Sequence, residues 1–236
     1  MVILGLITIL VGVIMALIQT DLKRLIGYGA VAELGYMFLG VGTGLTIIGN
    51  PDLTLSTAPF ALQAIKGGIF HIFNDALDVG LLFMVAGAIY YATKETDLNK
   101  LGGLARNMKY TTVFFIIGLL AISGIPPMNG FVSKLLIYES TYQLNPILSI
   151  IAILSSIMLL AVFVKVFQAA FLGPKLPQYE NVKEVPVSML LAMGIIAAII
   201  LVFGLFPDVI ITTIVEPAAN ALVDPSGYLS WLTGGV

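Results

Sequence analysis

The chain has 236 residues, of which 59% are hydrophobic and only 10% are charged, and its formal net charge is −2. Soluble domains have about 25% charged residues, so this composition indicates a polytopic membrane protein and excludes a soluble globular domain. The sequence has no cysteine and one histidine, which excludes a disulfide framework, a thiolate metal site and a cysteine nucleophile, and argues against a multi-histidine metal or haem site.

Six apolar segments follow one another, each on the scale of the about 20 residues that cross a bilayer. In chain order we predict spans at Val2 to Ile18, Leu25 to Ile48, Pro59 to Tyr91, Tyr110 to Gln143, Ile147 to Leu172 and Val187 to Phe206. The first span lacks a basic region and a small-residue cleavage site, so we expect it to be retained. A turn is predicted at Gly49 to Asp52, and the milder segment Pro207 to Val236 is expected to lie along the membrane interface.

The fourth span is interrupted by the run Ser123-Gly124-Ile125-Pro126-Pro127-Met128-Asn129-Gly130. Proline removes a backbone donor and clashes with the preceding turn, so two prolines flanked by glycines predict two half-helices. In lipid, such a break needs other protein or a water-filled cavity to satisfy the freed backbone groups. Lys134 follows one turn beyond the break, and an ammonium buried there is a functional-site hypothesis.

The distribution of basic residues tests the number of spans. Eight of the eleven fall in the loops after the first, third and fifth spans, namely Lys23, Arg24, Lys94, Lys100, Arg106, Lys109, Lys175 and Lys183. The other three, Lys66, Lys134 and Lys165, fall within spans. Because basic loops stay in the cytoplasm, this alternation predicts six spans with both termini outside.

Three titratable residues of the third span share one helix face. His71, Asp75 and Asp78 are spaced at i, i+4 and i+7. Since burial disfavours the charged form, such groups can change protonation near neutral pH, and beside lysines from neighbouring helices they are the material of a proton relay. The alternative is that they form structural hydrogen bonds between helices or face a partner subunit.

The remaining charged residues in or beside the spans have competing interpretations. Lys66 is near the outer end of its span, where a lysine can extend to the interface. Glu33 lies in a glycine-rich helix that suits close packing against a neighbour. Asp21 and the two basic residues after it occupy a cytoplasmic turn and are expected to be solvated. The candidate ion-translocation residues are Lys134, His71, Asp75, Asp78, Lys165, Glu33, Lys66 and Glu139.

No pattern of ordinary catalysis is present. The glycine run Gly40 to Gly44 lies in an apolar span and lacks the lysine and the strand that a phosphate-binding loop needs.

Four ordered blocks resemble the second half of the antiporter-like subunits: QTDLKRLIGYGAVAELGYMFLG, GIFHIFNDALDVGLLFMVAG, LGGLARNM and LLAISGIPPMNGFVSKLLI. These subunits occur in respiratory NADH:quinone oxidoreductase (complex I), in multisubunit Na⁺/H⁺ antiporters, and in energy-converting membrane-bound hydrogenases and their sulfur-reducing relatives. The resemblance extends to about Leu172. It implies an all-α fold with one five-helix repeat over residues 1–172, and a cytoplasmic loop, trailing transmembrane helix and interfacial tail over residues 173–236.

The resemblance also implies residue roles. Lys134 matches the lysine or glutamate of the family's broken helix, which serves as a terminal proton carrier near one exit of the channel. His71 matches the first histidine of the family's pattern on the central helix, and Lys23 matches the basic residue of the QTD-x-K-R turn.

Other positions depart from the family's pattern. Val79 stands where the family usually has its relay lysine, and Asp75 where it often has a second histidine. Asp78 replaces an aromatic residue and Glu33 a common glutamine. These departures put the usual relay in doubt, although Asp78 could supply a different titratable group.

We therefore expect a truncated antiporter-like subunit that helps to move H⁺ or Na⁺ along His71, Asp75 and Asp78 to Lys134. The chain has no catalytic centre of its own in this interpretation, and iron–sulfur clusters or other redox centres belong to partner subunits. The expected partners are other membrane subunits, including antiporter-like ones, together with lipid and not nucleic acid. One alternative is a non-conducting structural module that bridges or fills a membrane arm, and another is an independent carrier that works as a homodimer.

Overall fold

The computed structural model describes residues 1–50, 58–174 and 176–223. Within these ranges the chain is helical and contains no β-strand. The principal helices are α1 (Val2–Ile18), α2 (Leu22–Ile48), α3 (Ala58–Thr93), α4 (Lys109–Ile122), α5 (Asn129–Leu144), α6 (Pro146–Val166), α7 (Val187–Leu205), α8 (Pro207–Ile210) and α9 (Glu216–Val223). Pro51 and Asp52 of the predicted turn, Lys175, and residues 224–236 of the predicted tail lie outside the described residues.

Every predicted span forms a helix, the fourth one in two halves, and the all-α polytopic membrane class is confirmed. Among the described residues, four helices are long and apolar enough to cross a membrane: α2, α3, α6 with its π-helical continuation Phe167–Leu172, and α7. The helix α1 is a shorter apolar helix of 17 residues, about 25 Å long at 1.5 Å per residue. The helix α2 begins three residues earlier than predicted, because the Asp21 carboxylate accepts a hydrogen bond from the backbone N–H of Arg24 and caps the helix there.

The fourth span is broken where the prolines predict it. The helix α4 ends at Ile122, and α5 begins at Asn129. Gly124 between them has a φ of 69°, in the left-handed region that favours glycine. The two half-helices therefore leave carbonyl groups at the end of α4 and amide groups at the start of α5 without helical partners.

Glycines let α1, α2 and α3 pack in close contact. A Cβ atom at Gly12 would lie 2.5 Å from the backbone nitrogen of Ala32, and one at Gly35 would lie 2.6 Å from the carbonyl oxygen of Gly5. On the other side of α2, a Cβ at Gly40 would lie 3.0 Å from the Cα of Gly68 in α3. Small residues at such crossings allow helix backbones to approach in a membrane protein. The central helix α2 is thereby fixed between α1 and α3.

The trailing part of the chain packs on the preceding helices. Gly204 of α7 contacts the carbonyl of Pro127, so α7 covers the break between α4 and α5. The described part of the tail, Pro207–Val223, packs against α3, where Glu216 forms a 2.6 Å ion pair with Lys66. Its placement along the membrane interface stays a prediction.

The three basic loops contact one another at one end of the helices. The backbone N–H of Leu22 donates to the carbonyl of Thr96 at 2.9 Å, which joins the loop after α1 to the loop after α3. The Asn107 side chain donates to the carbonyl of Tyr179 at 3.1 Å, which joins the loop after α3 to the loop before α7. The loops that the charge pattern predicts to share one side of the membrane therefore share one end of the fold.

Asp21 links two of these loops and should contribute a pH-dependent part of the stability. Burial alone would raise its pKa, but hydrogen bonds from the Thr96 hydroxyl (2.6 Å) and from the backbone N–H of Arg24 (2.9 Å) outweigh burial and hold the pKa of Asp21 below its ordinary value. We expect Asp21→Ala to lower the free energy of unfolding by about 1 kcal/mol at neutral pH through loss of the cap.

The sign of the pH dependence follows from the lowered pKa. The carboxylate's contribution is complete above about pH 3.9, the ordinary aspartate pKa, and is lost as the pH falls through the lower folded-state value. Unfolding of the detergent-solubilised protein, measured against pH, should show the difference between wild type and Asp21→Ala shrinking in acid. Asp21→Asn, which keeps a capping oxygen, is the control. A difference that stays constant in acid would contradict the role of the carboxylate.

Candidate ion site at the helix break

Glu33, His71 and Lys134 meet in the interior of the fold. The Lys134 ammonium lies 2.9 Å from Oε1 of Glu33, and Nε2 of His71 lies 2.9 Å from Oε2 of the same carboxylate. The three side chains are only 1–2% exposed. They come from α5, α2 and α3, so one carboxylate joins three helices.

The break positions Lys134. Its ammonium donates to the carbonyl of Ile122 at 2.7 Å, which is one of the carbonyls freed at the end of α4. It also lies 3.4 Å from the Ser156 hydroxyl and 4.6 Å from the centre of the Tyr36 ring. A Cβ atom at Gly124 would lie 2.9 Å from Cδ of Lys134, so the glycine leaves room for the lysine stem. A cation is favourable at a helix C-terminus, where the carbonyl dipoles point.

A shared hydroxyl extends this network along α3. Nδ1 of His71 lies 3.0 Å from the Ser133 hydroxyl, which also accepts a 3.0 Å hydrogen bond from the Asn74 side chain. Asn74 donates a second bond, also 3.0 Å, to the carbonyl of Asn129 in the first turn of α5. The broken helix and the polar face of α3 are therefore joined by direct contacts.

The two aspartates of the predicted α3 face lie farther along the break. Asp78 is 2% exposed and lies beside Asn129, with Oδ2 next to the backbone of Gly130. Asp75 is half-buried. The Oδ1 atom of each aspartate has no hydrogen-bond partner among the described residues. The structure thus places the pair beside the break but not in contact with the Lys134 ammonium.

The remaining three candidates lie elsewhere. The Lys165 ammonium donates to the carbonyls of Leu17 and Gln19 at 2.7 and 3.0 Å, at the end of α1. Lys66 pairs with Glu216, as described above. Glu139 accepts a 2.7 Å hydrogen bond from Gln63 and borders a groove of about 590 Å³ between α5 and α6.

Sequence reasoning did not single out several polar residues of the site. Tyr36, Asn74, Asn129, Ser133 and Ser156 are neutral, and neutral side chains carry no charge that marks them against an apolar background. Asn74 is three residues after His71, and Asn129 is two residues after Pro127, so closeness to a charged residue and to the break was the signal that the sequence offered. Val79, at the family's relay-lysine position, packs against the hydrophobic core.

The site suits proton exchange and ion pairing. The Lys134 ammonium donates a 2.9 Å hydrogen bond to Glu33, while Nε2 of His71 lies 2.9 Å from the other carboxylate oxygen in an ion-pair contact that lacks hydrogen-bond geometry. Proton transfer between His71 and Glu33 therefore requires the imidazole to turn toward the carboxylate. Among the residues described by the structure, no group of three or more His, Cys, Asp or Glu side chains is arranged to hold a metal ion.

The chain is similar in sequence to several known proteins. Residues 1–160 match the family described as "NADH:quinone oxidoreductase/Mrp antiporter, TM". Hydrogenase-4 component B of Escherichia coli is 34% identical over 86% of this chain and 31% of its own length. A Na⁺/H⁺ antiporter subunit of Alkalihalophilus pseudofirmus is 33% identical over 93% of this chain and 29% of its own length. The chain therefore spans about a third of the length of these relatives.

Solved structures show the same fold. The archaeal membrane-bound sulfane sulfur reductase contains a chain that is 32% identical, with a TM-score of 0.75 over 86% of this chain and 31% of that one. A chain of the Mrp complex from Dietzia sp. superposes with a TM-score of 0.83 over 97% of this chain and 48% of its own, at 20% identity. At that identity the second likeness shows the fold alone.

Proposed function

This chain belongs to the NADH:quinone oxidoreductase/Mrp antiporter transmembrane family, and on that premise we propose that it is an antiporter-like subunit that helps to move H⁺ or Na⁺ across a membrane. The path that we propose runs from Asp75 and Asp78 through His71 to Glu33 and Lys134. The observation that carries the proposal is the buried Glu33–Lys134 pair, held at the helix break and in contact with His71.

Stability alone does not account for this pair. Replacing a buried ion pair with apolar residues of similar volume is often neutral or stabilising, because desolvation costs about as much as the attraction returns. Ionisable groups are rare in a membrane interior, where they typically pair with one another and mark ion and proton paths. The buried Glu33–Lys134 pair therefore favours a role of this chain in ion translocation over a purely structural role.

The contacts suggest how charge moves. A proton that passes between Nε2 of His71 and Oε2 of Glu33 changes the charge of the carboxylate that faces the Lys134 ammonium. Among the described residues, the ammonium then keeps the carbonyl of Ile122, the Ser156 hydroxyl and the face of the Tyr36 ring as neutral partners, and its proton can be passed on. The break supplies the polar backbone groups that such a step needs in a membrane interior.

The assembly and orientation belong to the same proposal. We propose that the chain works with other membrane subunits, including antiporter-like ones, and that any redox centres lie in those partners. The energy that drives transport then reaches this chain from its partner subunits, through packing or electrostatic interactions. We propose a multi-pass membrane location with the basic loops in the cytoplasm and both termini outside, which the mutual contacts of those loops support.

Transport by the intact complex in sealed vesicles tests the function. We expect Lys134→Ala and Glu33→Ala to reduce ion transport at least about 100-fold, the lower end of what a positioned proton-transfer group contributes. Lys183→Ala, at an exposed lysine of a polar loop, is the matched control and should transport at the wild-type rate. Unchanged transport in both site variants, with assembly intact, would show that the chain is a structural module.

A further inference from the structure

A groove of about 590 Å³ opens between the end of α5 and the start of α6. Its polar lining consists of Tyr138, Glu139, Tyr142, Gln143 and Ser149. The other end of α6 continues into Phe167–Leu172, which contacts the basic loop after α3. The groove therefore lies at the end of the fold opposite the basic loops, and its size and polar lining suit a group of water molecules.

Tyr138 lies between this groove and the Lys134 ammonium. It follows Lys134 by four residues, so the two side chains share one face of α5, one turn apart. The Tyr138 ring lines the groove and packs edge-on against the Tyr36 ring, with 6.1 Å between the ring centres. The Lys134 ammonium lies 4.6 Å from the centre of that Tyr36 ring. A pair of aromatic rings therefore separates the groove from the buried ion pair.

The hydroxyl of Tyr138 is turned toward the interior. It is buried beside Ser156, the residue that contacts the Lys134 ammonium, and it has no hydrogen-bond partner among the described residues. A buried hydroxyl without a partner is unfavourable, so packing alone holds the side chain in this position. Water in the groove could supply the missing hydrogen bond. The observed position of the ring therefore competes with one in which the hydroxyl is turned outward.

The backbone at Tyr138 is anchored, which confines such a movement to the side chain. The Ser149 hydroxyl of α6 donates a 2.8 Å hydrogen bond to the carbonyl of Tyr138, within the helix α5. The Tyr138 side chain is half-buried, with its exposed part in the groove. The ring can therefore change rotamer while α5 and α6 stay in place.

We propose that the groove is the outer vestibule of the translocation path and that the Tyr138 ring is its gate. In the observed position the gate is closed, and the ring keeps water from Lys134. When the ring turns into the groove, a water molecule can accept a proton from the Lys134 ammonium, which becomes a neutral amine as the water becomes hydronium. Tyr138 is thus a positioning residue that controls access. The proposal rests on the proposed function, because it adds the outer end of the same path.

Access of a water-soluble ion to the interior side of the ring tests the gate. The chain has no cysteine, so Ser156→Cys places a single thiol behind Tyr138, and Gln143→Cys places one in the groove. In the purified complex, Ag⁺ reacts with an accessible thiol and protects it from maleimide labelling of the denatured chain. We expect Gln143→Cys to react fast and Ser156→Cys slowly, because only the second reaction waits for the ring to turn.

Changes at Tyr138 should alter the reaction of the buried thiol alone. Tyr138→Ala removes the ring and should speed the reaction of Ser156→Cys at least about tenfold. Tyr138→Phe keeps the ring but removes the unpartnered hydroxyl, so the closed position becomes more favourable and the reaction should slow about tenfold, equivalent to about 1.4 kcal/mol. Tyr142→Ala, at an exposed ring of the same groove, is the matched control and should leave the rate unchanged.

The outcomes separate the gate from the proposed function, because the labelling rates do not depend on transport. Equal rates for Ser156→Cys with Tyr, Phe or Ala at position 138 would overturn the gate, and no reaction at Gln143→Cys would overturn the vestibule. Rates that follow the Tyr138 variants, together with normal transport in Lys134→Ala, would support the gate and overturn the path through Lys134. Loss of transport in Lys134→Ala with rates that ignore Tyr138 would support the path and overturn this outer end.

Discussion

Replacing Lys134 with Met, with Glu33 retained, should lower the free energy of unfolding by about 3–5 kcal/mol. Methionine nearly matches the lysine stem in length but cannot neutralise the Glu33 carboxylate, which is 2% exposed. The carbonyl of Ile122 also loses its donor. Denaturation of the complex in detergent, followed for wild type and variant, measures the loss. A change below about 1 kcal/mol would show that water or a neighbouring group compensates the carboxylate.

The double variant Glu33→Leu with Lys134→Met is the decisive control. Removing both charges leaves no unpaired ion, so it should recover most of the stability that Lys134→Met loses. His71 keeps its contact with Ser133 in this background. Transport should stay abolished, because no protonatable pair remains at the break. A double variant as unstable as the sum of its single variants would show that Glu33 and Lys134 are not coupled.

Adding one methyl group at Gly12 should separate α1 from α2. The new Cβ would lie 2.5 Å from the backbone nitrogen of Ala32 and 2.8 Å from its Cα, and backbone cannot move aside as a flexible side chain can. We expect Gly12→Ala to cost about 1–3 kcal/mol of stability, the usual penalty for overpacking. Because Glu33 follows Ala32 directly, displacement of α2 should also misalign the ion pair and reduce transport.

Gly27→Ala is the matched control for this prediction. Gly27 lies on α2, the helix that Gly12 of α1 packs against, and nothing is within 4 Å of the position that its Cβ would take. Alanine is favoured over glycine inside a helix by about 0.5–1 kcal/mol, so this variant should be as stable as the wild type or slightly more stable. Thermal unfolding of the two variants in parallel separates helix propensity from packing. Equal effects at both positions would contradict the close crossing at Gly12.

Local chemistry explains why much of the fold could be predicted. Apolar length defined the spans, and Pro126 and Pro127 placed the break between Ile122 and Asn129. These features depend on neighbouring residues only. The sequence places the start of α2 three residues too late. Asp21 is polar like a loop residue, and its role as the N-cap depends on the hydrogen bond that its carboxylate accepts from the backbone N–H of Arg24.

The lysines within spans show where prediction from sequence stops. Lys134, Lys66 and Lys165 are alike in sequence, each a single cation in an apolar segment. In the fold the first meets Glu33 across 101 positions of the chain, the second pairs with Glu216, and the third binds the carbonyls that end α1. A residue's partner depends on which helices are adjacent, and hydropathy contains no such information.

The sequence by itself determined the membrane class, the helical spans, the break and the polar face of α3, because each follows from local backbone chemistry and from the cost of placing polar groups in lipid. Only the tertiary structure decided that Glu33 joins Lys134 to His71, and that the rings of Tyr36 and Tyr138 separate this group from a groove at the end of α5. The physical reason is that glycine-mediated crossings, and not the sequence spacing of charges, decide which polar side chains share one buried site.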